Sequence, residues 1–238
     1  MPRVGFHRGL NPRKAFKLIL SSTGDRERQG QSAFGPGAAI RLLFRDPPAR
    51  GRTPAIFFDR DGVINQRVAG SYVSSWEEFQ FLEGSVEALR ALSRLRVPVL
   101  VISNQAGVAK GLVGRRALAD ITRRFVRALA RVGARIDAAY YCPHVDRDAC
   151  RCRKPQPGML LQAARDWRLD LGRSVMVGDS LRDVEAGRRA GCRGILLDSQ
   201  AEFGQAGLEG ASAGLELQRI PSLVALPGCV ARLLGRSR

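Results

Sequence analysis

Residues 54–65 read Pro-Ala-Ile-Phe-Phe-Asp-Arg-Asp-Gly-Val-Ile-Asn, an apolar run that ends abruptly in two aspartates. Residues 55–58 include no polar side chain, which is typical of a strand buried on both faces of a sheet. Such a strand would deliver Asp59 and Asp61 to the C-terminal edge of a parallel sheet, where open α/β folds bind ligands. Two carboxylates that lie so close together repel each other unless a cation lies between them or one holds a proton. Because Asp-x-Asp-Gly is also common in solvated turns, the interpretation depends on the other motifs.

Outward from this stretch, strand and helix patterns alternate as far as residue 200. We predict strands at residues 55–58, 98–103, 138–142, 174–178 and 194–197. Helices are predicted at residues 85–95, 115–132, 157–168 and 181–190, the first two with a clear apolar stripe. This alternation predicts an α/β fold, a Rossmann-like parallel sheet with helices on both faces. The gaps between the elements are too short for a separate cap domain.

The two ends of the chain are predicted to lie outside this domain, which spans residues 54–200. Residues 1–53 are rich in Gly, Arg, Ser and Pro and contain only short apolar patches, at residues 16–20 and 40–44. We interpret them as a mobile basic extension, an over-extended start of the reading frame or a weak targeting segment, and the sequence does not separate the three. Residues 201–238 are predicted to form a C-terminal tail with a short helix at residues 222–234.

The formal net charge of +17 could indicate a nucleic-acid partner or an anionic substrate. Much of this charge is arginine spread along predicted helices, and aromatic residues, at 6% of the chain, are too few for a stacking platform. We therefore favour a solvated, arginine-rich surface. No apolar run approaches the ~20 residues that cross a bilayer, and no signal-peptide pattern opens the chain. We expect a soluble, cytoplasmic protein without a membrane partner.

The five cysteines favour a metal site over disulfides, because their number is odd and three of them cluster around one histidine. Three thiolates and one imidazole make a complete tetrahedral set for structural Zn²⁺. We predict that zinc is bound by Cys142, His144, Cys150 and Cys152. The metal would fold a loop that has too little apolar content to fold alone. Since this loop leads directly into Arg153 and Lys154, we predict that the zinc positions these two residues and has no chemical role.

Polar residues that could bind a phosphate follow the second and third predicted strands. Ser103, Asn104 and Gln105 offer a hydroxyl and two amides at the end of the second strand. Arg153 and Lys154 follow the cysteine-rich loop. A lysine near several carboxylates would neutralise charge on a nucleophile and on a phosphoryl group. We therefore interpret these residues as candidate phosphate and substrate contacts.

A further carboxylate, Asp179, follows the fourth predicted strand, with Ser180 beside it as a candidate substrate contact. Asp183, in the next helical turn, fits a helix N-terminal carboxylate that the helix dipole favours. The carboxylates of Asp59, Asp61 and Asp179 together suit a hard, oxygen-ligated cation such as Mg²⁺. The sequence therefore predicts a magnesium site at the C-terminal edge of the sheet.

In this order, the motifs resemble those of the haloacid dehalogenase superfamily of aspartyl-phosphate phosphohydrolases. The resemblance implies that Asp59 attacks phosphorus and forms a covalent acyl-phosphate. Asp61 would protonate the leaving oxygen and then act as a base toward water. Ser103 and Lys154 would stabilise the transferring phosphoryl group. Asp179 would hold Mg²⁺ together with Asp59 and the main-chain carbonyl of Asp61.

Within that superfamily, the closer resemblance is to the capless, zinc-loop family of D-glycero-D-manno-heptose-1,7-bisphosphate 7-phosphatases. It rests on residues 59–65, 78–84, 104–111, 140–144 and 152–160. It implies a Mg²⁺-dependent phosphatase that removes the 7-phosphate in nucleotide-activated heptose biosynthesis, with Arg153 contributing to substrate recognition. Residues 67–72 depart from the family pattern, because the loop after Asn65 is longer and has Ser71-Tyr72 in place of Gly-Tyr.

Two alternatives to this family stay open. The first is a histidinol-phosphate phosphatase, because the stretch between His144 and Cys150 is short, as in those enzymes. Residues 107–111 and 157–159, however, are closer to the heptose family. A nucleic-acid end-processing phosphatase or a nucleic-acid-binding protein would use the charge of +17, but the chain has no second nucleic-acid domain. We expect a small phosphorylated sugar as the substrate, no nucleic-acid partner, and a monomer.

Overall fold

The computed structural model of the protein describes residues 39–49, 51–198 and 217–235. The strands in these residues are β1 (Ile40–Leu43), β2 (Ile56–Phe58), β3 (Val99–Asn104), β4 (Ala138–Cys142), β5 (Val175–Gly178), β6 (Arg193–Leu197) and β7 (Leu217–Ile220). They form one seven-stranded sheet in the order β1-β4-β3-β2-β5-β6-β7. β1 runs antiparallel to β4, and the other neighbouring strands are parallel.

Helices cover both faces of this sheet. They are α1 (Ser85–Ser93), α2 (Arg115–Arg131), α3 (Gly158–Trp167), α4 (Leu181–Arg189) and α5 (Leu226–Gly235). Side chains alternate along the central strand, so that Phe58 packs into a buried cluster with α1, α2 and α5, and Phe57 into one with α3 and α4. The predicted α/β fold is therefore confirmed, and the predicted elements between residues 55 and 197 agree with the observed ones to within two residues.

β2 lies at the centre of the sheet and ends where the candidate site begins. Its residues are at most 1% exposed, because helices cover both faces and β3 and β5 flank both edges. Phe58 aligns with Val101 in β3 and with Val177 in β5. The chain segments that follow these three strands therefore meet at one edge of the sheet, the C-terminal edge.

The expectation that residues 1–53 contain no core element is wrong for β1. Ile40 and Leu42 are buried, and the strand pairs with β4, about 100 residues later in the chain. Arg41, between them, points to the other face and forms an ion pair with Asp166 at 3.1 Å. A four-residue strand with two buried positions is too short for its alternation to stand out in the sequence. Residues 1–38, including the patch at residues 16–20, lie outside the described residues.

The C-terminal tail also contributes a strand that the sequence analysis did not predict. β7 pairs with β6 and extends the sheet beyond residue 200. The predicted helix at residues 222–234 is observed as a short 3₁₀ turn, Leu223–Ala225, followed by α5. α5 packs on the same face as α1, so this end of the chain belongs to the domain. Residues 199–216 lie outside the described residues.

Among the three described stretches of the chain, no helix has the length and apolar character needed to cross a membrane.

Candidate active site

The C-terminal edge of the sheet carries a cluster of three carboxylates around one lysine. Oxygen atoms of Asp59, Asp179 and Asp183 lie within 4.8 Å of one another. Nζ of Lys154 lies 2.9 Å from Oδ1 of Asp59 and 2.5 Å from Oδ1 of Asp183. The same ammonium donates to the carbonyl of Ile102 at 2.9 Å, and only 2% of the lysine side chain is exposed. Each of its N–H donors therefore has an acceptor, and its charge is balanced by two buried carboxylates.

The cluster holds more negative charge than Lys154 balances. Burial raises the pKa of Asp59 above its ordinary value, and repulsion from Asp183 and Asp61 adds to this effect, while Lys154 and a hydrogen bond from Ser103 oppose it. Burial and the charge of Asp59 raise the pKa of Asp179 to about 7. Carboxylates in this situation gain from a bound cation. Hard oxygen ligands of this kind fit Mg²⁺.

The carboxylate of Asp61 lies beside this cluster and is paired with Arg60. Arg60 is fully buried and donates to Asp61 from Nε at 3.0 Å and from Nη2 at 2.8 Å. Amide donors of Asn65 and Gln105 reach the same carboxylate at 2.9 and 2.7 Å. Burial opposes the ionisation of Asp61, but the charge of Arg60 and these hydrogen bonds hold its pKa below the ordinary value. Asp61 is therefore an ionised group beside the cluster, and its main-chain carbonyl and the carboxylate of Asp179 both accept hydrogen bonds from Arg67.

The ligand set that the family resemblance implies, with the main-chain carbonyl of Asp61, stays a prediction, but the cluster differs from the expected grouping of the carboxylates of Asp59, Asp61 and Asp179. The structure brings Asp183 into the cluster instead. Asp183 does have the predicted helix N-terminal position, and its Oδ2 accepts from the hydroxyl of Ser180 at 2.6 Å and from its main-chain N–H at 3.1 Å. The hydroxyl of Ser180 is thereby committed to the start of α4. The second role of Asp183 left no signal in the sequence, because its contact with Lys154 joins residues far apart in the chain.

The polar residues after β3 surround the nucleophile candidate. Ser103 is hydrogen-bonded to Asp59 and accepts from Nε2 of Gln105 at 3.3 Å. Asn104 holds the main chain of Lys154, accepting from its N–H at 3.0 Å and donating to its carbonyl at 3.1 Å. The roles of Asn104 and Gln105 as substrate contacts stay predictions; in the structure Asn104 holds the main chain of Lys154, and Gln105 donates to Asp61 and Ser103. Oε1 of Gln105 is buried without a hydrogen-bond partner.

Gly62 makes the tight approach of the two aspartate segments possible. Its φ of +89° lies in the left-handed region, which favours glycine. A Cβ atom at this position would lie 1.7 Å from Oδ2 of Asp179. Arg67 reaches over this glycine, and its Nη2 lies 2.6 Å from Oδ1 of Asp179. Arg60 and Arg67 lie in stretches that the sequence motifs single out, but no role was predicted for either side chain, because their carboxylate contacts depend on the fold.

The cysteine-rich loop brings its four predicted ligands together. Donor atoms of Cys142, His144, Cys150 and Cys152 lie within 4.8 Å of one another. Sγ of Cys152 is 3.3 Å from Sγ of Cys142 and 3.2 Å from Nδ1 of His144. Zn–S bonds of about 2.3 Å place tetrahedral thiolates about 3.8 Å apart, so the cluster is close to the size of a zinc site. The donor set and its closed shape fit structural zinc.

Proton sharing inside this loop also favours a metal-binding thiolate. A hydrogen bond from the thiol of Cys152 lowers the pKa of Cys142 to about 6. The same contact raises the pKa of Cys152. A bound cation would replace the shared proton and stabilise both sulfurs as thiolates.

Arg153 links the cysteine-rich loop to the active site. Its Nε lies 2.5 Å from Oδ1 of Asp146, and its Nη1 donates to the carbonyl of His144 at 3.2 Å. The next residue is Lys154, so the loop holds the side chain of Arg153 directly and leads into Lys154, whose ammonium is held by the site itself. This placement agrees with the predicted structural role of the loop.

We expect Cys150→Ser to bind zinc roughly 100-fold more weakly or worse, because one of four ligands is lost from a site worth about 12 kcal/mol. The loop then loses its order, and KM for the substrate rises because Arg153 is held by this loop. Zinc content by elemental analysis and KM are the measurements. Cys229→Ser is the matched control, because Cys229 lies outside the loop and its thiol donates to Gln218, as a serine hydroxyl could. Full zinc content in Cys150→Ser would contradict the four-ligand site.

The aspartate cluster and the buried lysine lie at the C-terminal edge of a mainly parallel sheet, which is the arrangement of a phosphoryl-transfer hydrolase. Residues 151–210 match the family model described as HAD-hydrolase-like. The chain is 43% identical to the D-glycero-beta-D-manno-heptose-1,7-bisphosphate 7-phosphatase of Bordetella bronchiseptica over 144 residues, which cover 60% of this chain and 80% of that protein. The enzyme of the same name from Escherichia coli is 39% identical over 140 residues, or 56% of this chain and 72% of that protein.

A solved structure agrees with these relatives. The crystal structure of D,D-heptose 1,7-bisphosphate phosphatase from B. bronchiseptica, complexed with magnesium and phosphate, matches with a TM-score of 0.66 at 36% identity. The match covers 76% of this chain and 99% of that chain. The chain therefore belongs to the family of the D-glycero-beta-D-manno-heptose-1,7-bisphosphate 7-phosphatases, within the HAD-like hydrolases, and is a phosphoric monoester hydrolase.

Proposed function

We propose that this protein removes the 7-phosphate of D-glycero-D-manno-heptose 1,7-bisphosphate in a Mg²⁺-dependent reaction, as a step toward a nucleotide-activated heptose. The observation that supports this most directly is the contact of Asp59 with Lys154, beside Asp179, in a chain that is 43% identical to a phosphatase of that name. The relative whose crystal structure contains magnesium and phosphate has the same fold.

The Mg²⁺ ligands that we propose are the carboxylates of Asp59 and Asp179 and the main-chain carbonyl of Asp61. Asp183 is less available, since one of its oxygens faces Lys154 and the other accepts two hydrogen bonds from Ser180. When bound, Mg²⁺ would neutralise charge on the nucleophile and on the phosphoryl oxygens. Lys154 would supply a second positive charge beside Asp59.

The nucleophile that we propose is Asp59. One of its oxygens forms a bond to phosphorus while the bond from phosphorus to the sugar oxygen breaks, which gives an acyl-phosphate. Asp61 gives the sugar oxygen its proton. Water then attacks phosphorus, Asp61 takes the proton from the water, and the bond to Asp59 breaks to release inorganic phosphate. Ser103, beside Asp59, donates to the phosphoryl oxygens.

For the first half of this reaction, Asp61 must carry a proton. Its carboxylate is ionised beside Arg60, where its pKa is low. A dianionic phosphate that binds nearby raises the pKa of a neighbouring carboxylate, because it disfavours the charged form. Substrate binding therefore supplies the condition under which Asp61 acts as an acid, and loss of the sugar returns it to the base form.

The experiment that tests this function is phosphate release from heptose 1,7-bisphosphate and from histidinol phosphate, in parallel and with Mg²⁺ present. We expect kcat/KM for the heptose to exceed that for histidinol phosphate by about 100-fold, a difference of ~2.7 kcal/mol in transition-state binding. The reverse preference would assign the protein to histidinol phosphate with the same catalytic residues. Release from neither compound would overturn the proposed substrate, and DNA ends would be tested next.

A further inference from the structure

Arg67 lies where a cation is expected at the active site. Its Nη2 is 2.6 Å from Oδ1 of Asp179, and its Nε donates to the main-chain carbonyl of Asp61 at 3.3 Å. These are two of the oxygens that the proposed function assigns to Mg²⁺. The arginine side chain is 58% exposed, whereas the side chain of Asp179 is only 11% exposed. The guanidinium therefore covers the site from the solvent side.

Arg67 and Mg²⁺ cannot occupy this position together. Mg²⁺ binds oxygen at about 2.0–2.1 Å in near-ideal octahedral geometry, and a guanidinium within hydrogen-bond distance of the same oxygens would meet the ion and repel it. The site is also narrow, since the Cβ of any residue at position 62 would lie 2.7 Å from Nε of Arg67. Metal binding thus requires the arginine side chain to move.

We propose that Arg67 occupies the cation position until Mg²⁺ displaces it, and that the released guanidinium then contacts the second, non-transferred phosphate of the substrate. This inference rests on the proposed function. It makes Arg67 a residue that sets both the apparent affinity for Mg²⁺ and the preference for a bisphosphate.

The surroundings of Arg67 leave its side chain room to move. Residues 66–71 are exposed and lie beside the site, and the partly buried Tyr72 that follows them packs against Gly107, with its ring centre 5.3 Å from Nζ of Lys110. The loop is therefore anchored at that end, whereas the Arg67 side chain is 58% exposed and has solvent on one side into which it can turn.

Once Mg²⁺ is bound, each carboxylate of the site has a cation. Lys154 faces Asp59 and Asp183, and Arg60 faces Asp61. The guanidinium of Arg67, released from Asp179, then pairs with the second phosphate of the substrate. Guanidinium groups pair bidentately with phosphate oxygens, with geometry that a single ammonium does not match.

The energetic consequence is a penalty on metal binding. When Arg67 has left the metal position in only a fraction of the protein molecules, the apparent Kd for Mg²⁺ rises by the inverse of that fraction. The contact of Arg67 with a nearly buried carboxylate reduces this fraction. Removing the guanidinium removes the penalty, and the same change removes the contact with the second phosphate. One substitution is therefore expected to tighten Mg²⁺ binding and to weaken binding of the bisphosphate.

The test is Arg67→Gln, with Arg182→Gln as a control that removes the same charge from an exposed position at the start of α4. Mg²⁺ binding is measured by titration calorimetry on the purified protein without substrate. We expect the Kd for Mg²⁺ to fall about 10-fold in Arg67→Gln and by less than about twofold in Arg182→Gln. Equal Kd values for the wild type and Arg67→Gln would overturn the displacement.

The second measurement is KM at saturating Mg²⁺ for heptose 1,7-bisphosphate and for heptose 7-phosphate. We expect Arg67→Gln to raise KM for the bisphosphate about 10-fold and to leave KM for the monophosphate unchanged. Equal changes for the two substrates would overturn the contact with the second phosphate. A wild-type protein that binds no Mg²⁺ would overturn the proposed function itself, so the two failures are distinguishable.

Discussion

Replacing Asp59 with asparagine is expected to lower kcat by at least about 10⁴-fold, because an amide cannot form the acyl-phosphate on which the proposed reaction depends. Phosphate release at saturating substrate and Mg²⁺ measures the effect. Asparagine has nearly the same shape as aspartate, so the hydrogen-bonding surroundings of position 59 are retained. Substantial residual turnover would contradict the assignment of Asp59 as the nucleophile.

The stability of this variant provides an independent check. Burial raises the pKa of Asp59, which means that the folded protein disfavours the charge of this carboxylate at neutral pH. A neutral amide removes that cost, and Lys154 keeps its contact with Asp183. We therefore expect Asp59→Asn to unfold at the same temperature as the wild type or at a higher one when Mg²⁺ is absent. Loss of activity together with unchanged or increased stability is the pattern of a residue kept for chemistry.

Asp120→Asn is the matched control for this comparison. Asp120 lies on α2 and pairs with Arg124 at 2.8 Å, and its side chain is half exposed. An exposed pair of this kind contributes between about 0 and 1 kcal/mol to stability. The control should therefore retain full activity and change the unfolding temperature very little.

Replacing Lys154 with methionine is expected to have the largest effect on stability. The change leaves Asp59 and Asp183 buried without their shared cation. Removing one partner of a buried ion pair costs about 3–5 kcal/mol, which corresponds to a fall of roughly 10 °C in the unfolding temperature for a domain of this size. We also expect kcat to fall by about 10²–10³-fold, since a positive charge next to the transferring phosphoryl group is lost.

The stability loss should depend on pH in a defined direction. Lys154 is the strongest influence that lowers the pKa of Asp59, so the pKa of this carboxyl rises further without it. A carboxyl with a raised folded pKa stabilises the fold below its ordinary pKa of about 3.9 and loses this contribution as the pH rises through the folded value. The difference in unfolding temperature between wild type and Lys154→Met is thus expected to be larger at pH 8 than at pH 5.

Lys110→Met is the control for the loss of a lysine charge. Lys110 is exposed, and its ammonium lies 5.3 Å from the centre of the Tyr72 ring. An exposed cation–π contact is worth about 0.5–1 kcal/mol. If Lys154→Met lost no more stability than this control, the buried ion pairs would not be what holds the three segments of the site together.

The sequence predicted those site residues that belong to a short-range pattern, such as a strand end or a set of closely spaced metal ligands. An apolar run followed at once by a polar residue identifies the ends of parallel strands, and this placed Asp59, Ser103 and Asp179 at one edge of the sheet. The spacing of Cys142, His144, Cys150 and Cys152 predicted their cluster in the same way, because ligands within eleven residues of chain must lie close together. The family resemblance, which rests on the same motifs, is confirmed by the relatives.

The orientation of the Asp61 carboxylate could not be predicted from the sequence, because it depends on a turn at residues 60–64. The chain leaves the extended conformation at this point, since the N–H of Ile64 donates to the carbonyl of Arg60 and Gly62 has a positive φ. The turn directs the carboxylate of Asp61 toward Arg60. Asp183 takes its place beside Asp179, held by a lysine from another segment.

Local sequence patterns were thus sufficient for the parallel sheet, its helices and the strand ends on which the predicted catalytic residues lie, because burial and secondary structure leave short-range periodicities. The tertiary structure was needed for the edge strands β1 and β7, for the pairing of Arg60 with Asp61 and for the position of Arg67 over Asp179. The edge strands and the contact of Arg67 join segments distant in the chain, and the pairing of Arg60 depends on a turn. Only the folded chain, with its burial and charge balance, decides which of many arginines and aspartates meet.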